Sequence, residues 1–353
     1  MTGRGTGGKT LRDMPKQAPE GAEQVRGTFA RLARANHLPL AALLVAVALI
    51  VGYDSPMMRR ALLAAGGGSS VSQPNPSLVP PLRGAYYFPW YDEAWDSGIY
   101  TPATHYTPTL GAYYDQNTDP VINQHVAWAL EANLDVLIPT WRGKPDGTGI
   151  SATTFAGDGG THTDAKIVRI MDAARWSSLK VAMLYEVEAY ANPTQAEIEA
   201  EFTWLAANRF TYPTYLYVDG RPVIFVYTGA DHSDALAQKY SDATSGFTTA
   251  YVMMQTQTDP SAATPQPDGW FTFSNDRTSA VSNSYNVCPG YWLFSDANPV
   301  TTRDLATWQA NVASMIASGA DWQLINSFNE WAEGSQIEPS TELGTDYLDA
   351  LAP

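Results

Sequence analysis

The stretch "LDVLIPTW" (134–141) turns alternate side chains to opposite faces, and both faces are apolar. Leu134, Val136 and Ile138 lie on one; Leu137, Pro139 and Trp141 lie on the other. A strand with one wet face would alternate apolar with polar residues. One that is apolar on both suits a parallel sheet covered by helices. The preceding residues fit that setting. Asp119-Pro120 reads as an N-cap followed by proline at the first helical position, and Ile122, Val126, Ala129 and Leu130 then mark one helical face.

Working outward, the same kind of run recurs in "GAYYFPWY" (84–91), "KVAMLYEV" (180–187), "PVIFVYT" (222–228) and "TTAYVMMQ" (248–255). It returns in "GWFTFS" (269–274), "NSYNVCPG" (283–290) and "WQLINSFN" (322–329). Helical patterns at 164–177, 194–209 and 302–319 fall between several of them. Eight strands alternating with helices over about 270 residues predict a (β/α)8 barrel. Little helix separates the fifth, sixth and seventh strands, which leaves a doubly wound open sheet as the alternative.

Upstream the chain changes character. Residues 1–37 form a polar, basic tail, and 38–53 form an apolar run, "LPLAALLVAVALIVGY". The run is at the short end of a bilayer span, and no small-residue cleavage site closely follows it. It is expected to be a signal anchor, with a cleaved signal as the alternative. Positive charge is denser on its N-terminal side, which keeps that side cytoplasmic and places the rest of the chain outside. Residues 54–81, rich in Gly, Ser and Pro toward their end, read as a linker, so the folded domain is expected at 82–353.

Charge divides at the same place. Residues 1–80 carry 9 Lys/Arg and 4 Asp/Glu, while 81–353 carry 12 and 32. A body with a net charge of −20 repels phosphates, which argues against a nucleic-acid partner. The single cysteine, Cys288, excludes an intrachain disulfide. The five histidines show no metal-ligand spacing. The stretch "DQNTD" (115–119) lacks the glycine and glutamate that a calcium loop needs further on. No nucleotide-binding or serine-nucleophile fingerprint occurs. No cofactor and no metal are expected.

In a (β/α)8 barrel the active site lies at the C-terminal ends of the strands. Those ends carry Trp90 and Tyr91, then Trp141, then Glu186, Glu188 and Tyr190, then Tyr227. The seventh ends in Tyr291 and Trp292, and the eighth in Glu330, Trp331 and Glu333. Aromatic rings beside carboxylates suit a sugar, whose C–H faces lie on rings and whose hydroxyls bond carboxylates. Cleaving a glycosidic bond also requires two carboxyl groups. Glu330 and Glu333, within one turn after a strand, are the candidate catalytic pair. Either glutamate could instead be an ordinary helix-start cap. Tyr87 and Asn329, which lie in the same two motifs, complete the candidate substrate contacts.

"NEWAEGSQIEPS" (329–340) resembles the terminal motif of glycoside hydrolase family 99 and its wider relatives. Other elements are similar in the same order: "YYFPWY" (86–91), the stretch from His105 and Pro108 through "GAYYDQNTDPVINQHVAWALEANLDVLIPTW", "YEVEAY" (185–190), "GRPVIFVY" (220–227) and "CPGYW" (288–292). The resemblance covers about residues 85–350. It implies a metal-independent (β/α)8 enzyme that cleaves α-mannosidic linkages internally with retention. It further implies that Glu330 deprotonates the sugar's 2-hydroxyl to give a 1,2-anhydro sugar. Glu333 then serves as general acid and later as base, with Glu188, Tyr227 and Trp141 matching positions that line the site and Tyr190 matching the same motif as Glu188. Ala332, Arg142 and Ala189 depart from the family pattern, which leaves the sugar open. The alternatives are a barrel that binds polysaccharide without cleaving it, and a transglycosylase in surface-glycan assembly.

Overall fold

The computed structural model describes residues 75–91, 104–112, 114–150, 160–229, 233–245, 250–256 and 264–352, the side chains of 160–162 and 245 excepted. The tail, the 38–53 run and most of the 54–81 linker lie outside the described residues. No helix among the described residues is long and apolar enough to cross a membrane.

Residues 74–353 form one compact unit. Its strands are β1 (Leu82–Tyr87), β2 (Val136–Trp141), β3 (Lys180–Val181), β4 (Met183–Tyr185), β5 (Tyr217–Val218) and β6 (Arg221–Val226). They continue with β7 (Tyr251–Gln255), β8 (Gly269–Phe271), β9 (Thr278–Val281), β10 (Ser284–Val287) and β11 (Trp322–Ile325). The helices are α1 (Asp119–Glu131), α2 (Gly160–Ala174), α3 (Val187–Ala191), α4 (Gln195–Asn208), α5 (Asp234–Ser245), α6 (Leu305–Ser318) and α7 (Asp346–Asp349). The sheet order is β8-β7-β6-β4-β2-β1-β11-β10-β9.

Every neighbouring pair in this order is parallel except β10 with the hairpin strand β9. The last core strand, β11, pairs with the first, Leu82 beside Trp322 and Ala85 beside Ile325. An open doubly wound sheet leaves those two strands apart, so the architecture is a barrel. It is nearly closed: between β8 and the β9–β10 hairpin no strand pairing is found among the described residues, and Thr272 and Ser279 join hydroxyl to hydroxyl at 2.6 Å. The eight expected strands are all present, β3 and β4 together forming the third. No helix is described between β7 and β10, where the helical pattern was thin.

Strand alternation sorts the core into two shells. Tyr86, Val136, Ile138, Leu184, Phe225, Met253, Phe271, Trp322 and Leu324 fill the barrel interior. Tyr87, Leu137, Trp141, Tyr185, Val226, Met254 and Ile325 point outward and pack under the helices. This parity decides which residues at the strand ends can reach the mouth.

Contact with the barrel begins before Leu82. Asn75 Nδ2 donates to Tyr212 O at 2.5 Å, Leu78 N donates to Tyr217 O at 2.8 Å, and Gly220 N donates to Ser77 Oγ at 2.8 Å. Leu78 bridges Val218 at the tight turn that leads into β6. That turn is at the N-terminal end of the barrel, opposite the strand ends that carry the candidate site.

Candidate active site

Glu330 and Glu333 lie in the turn that follows β11. Glu330 is buried, and its main-chain N–H donates to Ser327 Oγ at 2.8 Å. Its Oε1 accepts from the Tyr91 hydroxyl and, at 3.2 Å, from Ala332 N. Burial raises its pKa well above the ordinary carboxyl value; the charge of Glu333, and behind it that of Glu186, push the same way, against the donors Tyr91 and Ala332. Glu333 is half-buried, and burial raises its carboxyl to about 7. Both carboxyls therefore keep protons at a pH where a free glutamate has lost its own.

The groups around them follow six other strands, β1, β2, β4, β6, β8 and β10. Tyr227 follows β6 on its inward parity, and its hydroxyl is raised by burial and by the charges of Glu186 and Glu333. Tyr190, 58% exposed, stacks beside Tyr227 at 6.4 Å between centroids. Phe273 meets Tyr227 edge-on at 5.7 Å and stacks on Tyr86 at 4.2 Å, forming the floor. Tyr291, pushed up to about 12 by burial and by Glu333, Asp296 and Glu330, approaches from β10. Trp292 is half-buried, with His105 stacked on it at 3.8 Å. Trp90 lies under the Arg142 guanidinium at 4.3 Å, and Arg142 Nε donates to Glu186 at 2.7 Å.

The structure therefore assembles Glu330, Glu333, Trp90, Tyr91, Tyr190, Tyr227 and Trp292 at one mouth and corrects the other candidates. Tyr87 has outward parity: its hydroxyl meets His125 Nδ1 at 2.8 Å and accepts from Gln116 Nε2 at 2.7 Å, beneath α1. Trp141 has the same parity. It donates to Asp164 at 3.0 Å in α2 and stacks between Tyr185 and Trp204. Glu188 is in α3 and turns to α5, with Lys239 Nζ at 2.7 Å and the Tyr240 hydroxyl at 2.8 Å. Asn329 clamps the backbone of Phe88, accepting from its N at 2.8 Å and donating to its O at 2.9 Å. Trp331 is fully buried; its Nε1 donates to Glu338 at 2.9 Å. These five hold the scaffold and do not reach the mouth.

Glu186, which the sequence placed at the third strand end but not among the candidate contacts, is the carboxylate that faces inward. The third strand stops at Tyr185, so Glu186 keeps the inward parity of Leu184, while Glu188 is carried outward by the helix. Glu338 also has a settled place. His125 Nε2 lies 3.1 Å from its Oε1, and Oε2 accepts from the Tyr114 hydroxyl at 2.9 Å, so it braces the turn that carries Glu330 and Glu333. Among the described residues no cluster of three or more histidine, cysteine and carboxylate side chains is arranged for a metal ion.

Comparison with known proteins bears on this arrangement. The protein-family profile described as Glycosyltransferase WbsX matches residues 290–351. No curated protein sequence matches the chain. Among solved structures, the GH99 endo-α-mannosidase of Bacteroides thetaiotaomicron superposes with a TM-score of 0.61 at 20% identity, over 78% of this chain and 96% of that one. A second structure of that enzyme gives 0.60 at 21%, over the same shares. A glycoside hydrolase-like protein gives 0.53 at 14%, over 80% and 96%. The chain shares its fold with these proteins.

Proposed function

We propose that the protein is a retaining glycoside hydrolase acting on α-linked glycans, with internal α-mannosidic linkages as its substrate class. The observation that carries this reading is the coupled pair Glu330 and Glu333, both with raised pKa, in a mouth lined by Tyr227, Tyr291 and Trp292. Glycoside cleavage needs one carboxyl protonated and one ionised at the same pH, which two carboxyls raised to different extents supply. Support also comes from the fold shared along almost the whole length of an endo-α-mannosidase.

In this reading Glu333 gives its proton to the leaving oxygen while Glu330 takes the proton of the sugar's 2-hydroxyl. That hydroxyl oxygen attacks C1 as the C1–O bond to the leaving sugar breaks, which gives a 1,2-anhydro sugar. Water then opens it, losing a proton to Glu333 as Glu330 returns its own to the 2-oxygen. The Tyr91 and Ala332 donors on Glu330 stabilise its ionised form, and the working state is one of the two tautomers of the singly protonated pair. Tyr227, Tyr190 and Trp292 supply ring faces for the sugars on either side of the cut.

Digestion of a panel of α- and β-linked mannans and related glycans, with products identified by mass and anomeric form, tests this reading. Release of α-configured oligosaccharides from an α-mannan is the expected result. Binding without any product would support a carbohydrate-binding barrel in its place.

A second reading is favoured by the match of residues 290–351 to a profile described as a glycosyltransferase. The same intermediate opened by a sugar hydroxyl gives transfer. Products longer than the starting glycan, increasing with added acceptor, would select it. We also propose that the barrel works outside the cytoplasm, carried there by the apolar 38–53 run. Protease digestion of intact cells tests this, with loss of the barrel expected and protection counting against it.

A further inference from the structure

Glu333 sits in a loop gripped from outside the catalytic turn. On one side, Trp292 N donates to Glu333 O and Phe294 N to Ala332 O, both at 2.7 Å. On the other side is Arg303, just before the Asp304 N-cap of α6. Its Nε and Nη2 donate to Gly334 O at 3.2 and 2.9 Å, and Nη2 donates to Gln336 O at 2.5 Å. The guanidinium is wedged between rings, 5.1 Å from the centre of Tyr106 and 4.8 Å from that of Tyr347.

The fit between these parts is close. Gly334 has φ +60°, and a β-carbon on it would meet Trp292 O at 2.9 Å, so the loop passes against the 292–294 segment with no room for a side chain. Gly290 makes way for the arginine, since a β-carbon there would lie 2.6 Å from Arg303 Cγ. Main-chain carbonyls beside Glu333 are thus held by a planar fork of donors that a lysine cannot reproduce.

We infer that Arg303 is a positioning residue for Glu333, fixing the carboxyl at the place from which it delivers a proton. Arg303 touches neither the sugar nor the carboxyl; it acts through the Gly334 and Gln336 carbonyls. The inference rests on the reading of Glu333 as proton donor.

That role predicts a pattern that loss of packing would not produce. A leaving group of low pKa departs without protonation, whereas a sugar leaving group needs the acid. Arg303→Met and Arg303→Lys should lower kcat on an α-mannooligosaccharide by about 10²-fold, in the range of a lost general acid. On a 2,4-dinitrophenyl α-mannoside the loss should stay within about 3-fold. Gly290→Ala should give the same split by pushing the arginine stem, and combining it with Arg303→Met should add little.

A second measurement does not depend on turnover. With 13C-carboxyl glutamate labelling, and the Glu333 signal identified by its loss in Glu333→Gln, the wild-type titration midpoint near 7 should fall by about one unit in Arg303→Met as the loosened carboxyl gains water. Equal losses on both substrates, or an unmoved Glu333 midpoint, would reduce Arg303 to a packing residue. If wild type cuts neither substrate, the proposed activity falls and the titration still decides the role of Arg303. Should Arg303→Met not fold, Arg303→Lys and Gly290→Ala carry both measurements.

Discussion

Lys239 Nζ lies 2.7 Å from Glu188 on the helix side of the barrel wall, while two residues earlier Glu186 faces inward and holds Arg142. Neighbouring carboxylates of one segment therefore have different work, and substitution should separate them. Glu188→Gln leaves Lys239 without its buried partner and should lower stability by about 1–3 kcal/mol with kcat nearly unchanged. Glu186→Gln should leave the melting temperature within a few degrees and reduce kcat/KM. Thermal melts and steady-state kinetics on both variants check this; the reverse outcome would return Glu188 to the mouth.

The two raised carboxyls set the pH dependence. At low pH both Glu330 and Glu333 are protonated and the base is missing. One proton leaves near 7, so kcat/KM should rise through about that pH and fall again only higher, when the second proton goes. Tyr91→Phe removes a donor that favours ionised Glu330. It should lower kcat and move the alkaline limb upward.

Stability should show the same groups with the opposite benefit. A carboxyl whose folded pKa lies above its unfolded value binds more protons in the folded state, so stability falls as pH rises from about 4.5 through the raised value. Glu330→Gln keeps the acceptor for Tyr91 and Ala332 but removes the charge. At pH 8 its melting temperature should exceed wild type by about 2–5 °C, and the gap should close toward pH 4. A variant that melts lower at pH 8 would show that the ionised pair is not costly to the fold.

The neighbouring-hydroxyl route makes the 2-hydroxyl part of the chemistry. A 2-deoxy sugar at the cleavage site should bind without turnover, and a 1,2-anhydro mimic should inhibit because it resembles a species on the path. An ordinary retaining route has a carboxylate attacking C1. A 2-fluoro sugar with a good leaving group would then leave one glycosyl mass on Glu330 or Glu333, visible in the intact protein.

Residues 75–81 belong with the barrel through Asn75, Ser77 and Leu78. A chain starting at Pro74 should melt with the same body in the full chain. One starting at Leu82 loses these bonds and should melt lower by about 2–6 °C, while kcat stays the same because the contacts are remote from the mouth.

The barrel was legible because its strands are apolar on both faces and bounded by helix signals, as with "LDVLIPTW" after the 119–131 helix. Glu330 and Glu333 were legible as a motif at a strand end. What did not show was parity at each strand's last residues. Tyr87 and Trp141 look like mouth aromatics until the ladder is known to put Tyr86 and Ile138 inside. Glu186 rather than Glu188 faces inward because the strand gives way to a helix after Tyr185, a boundary that composition does not mark. Arg303 carried no signal of its own, since its partners are main-chain carbonyls about thirty residues away.

The Leu78–Val218 bridge fixes the direction from which the polypeptide reaches the barrel: the rim opposite Glu330 and Glu333. Attachment through the N-terminal side to a bead or resin would therefore pull on that opposite rim and leave the strand-end rim facing the liquid. A polymer too large to enter the resin could still thread its chain across that rim, whereas coupling through the exposed Tyr190 region would bury it against the support.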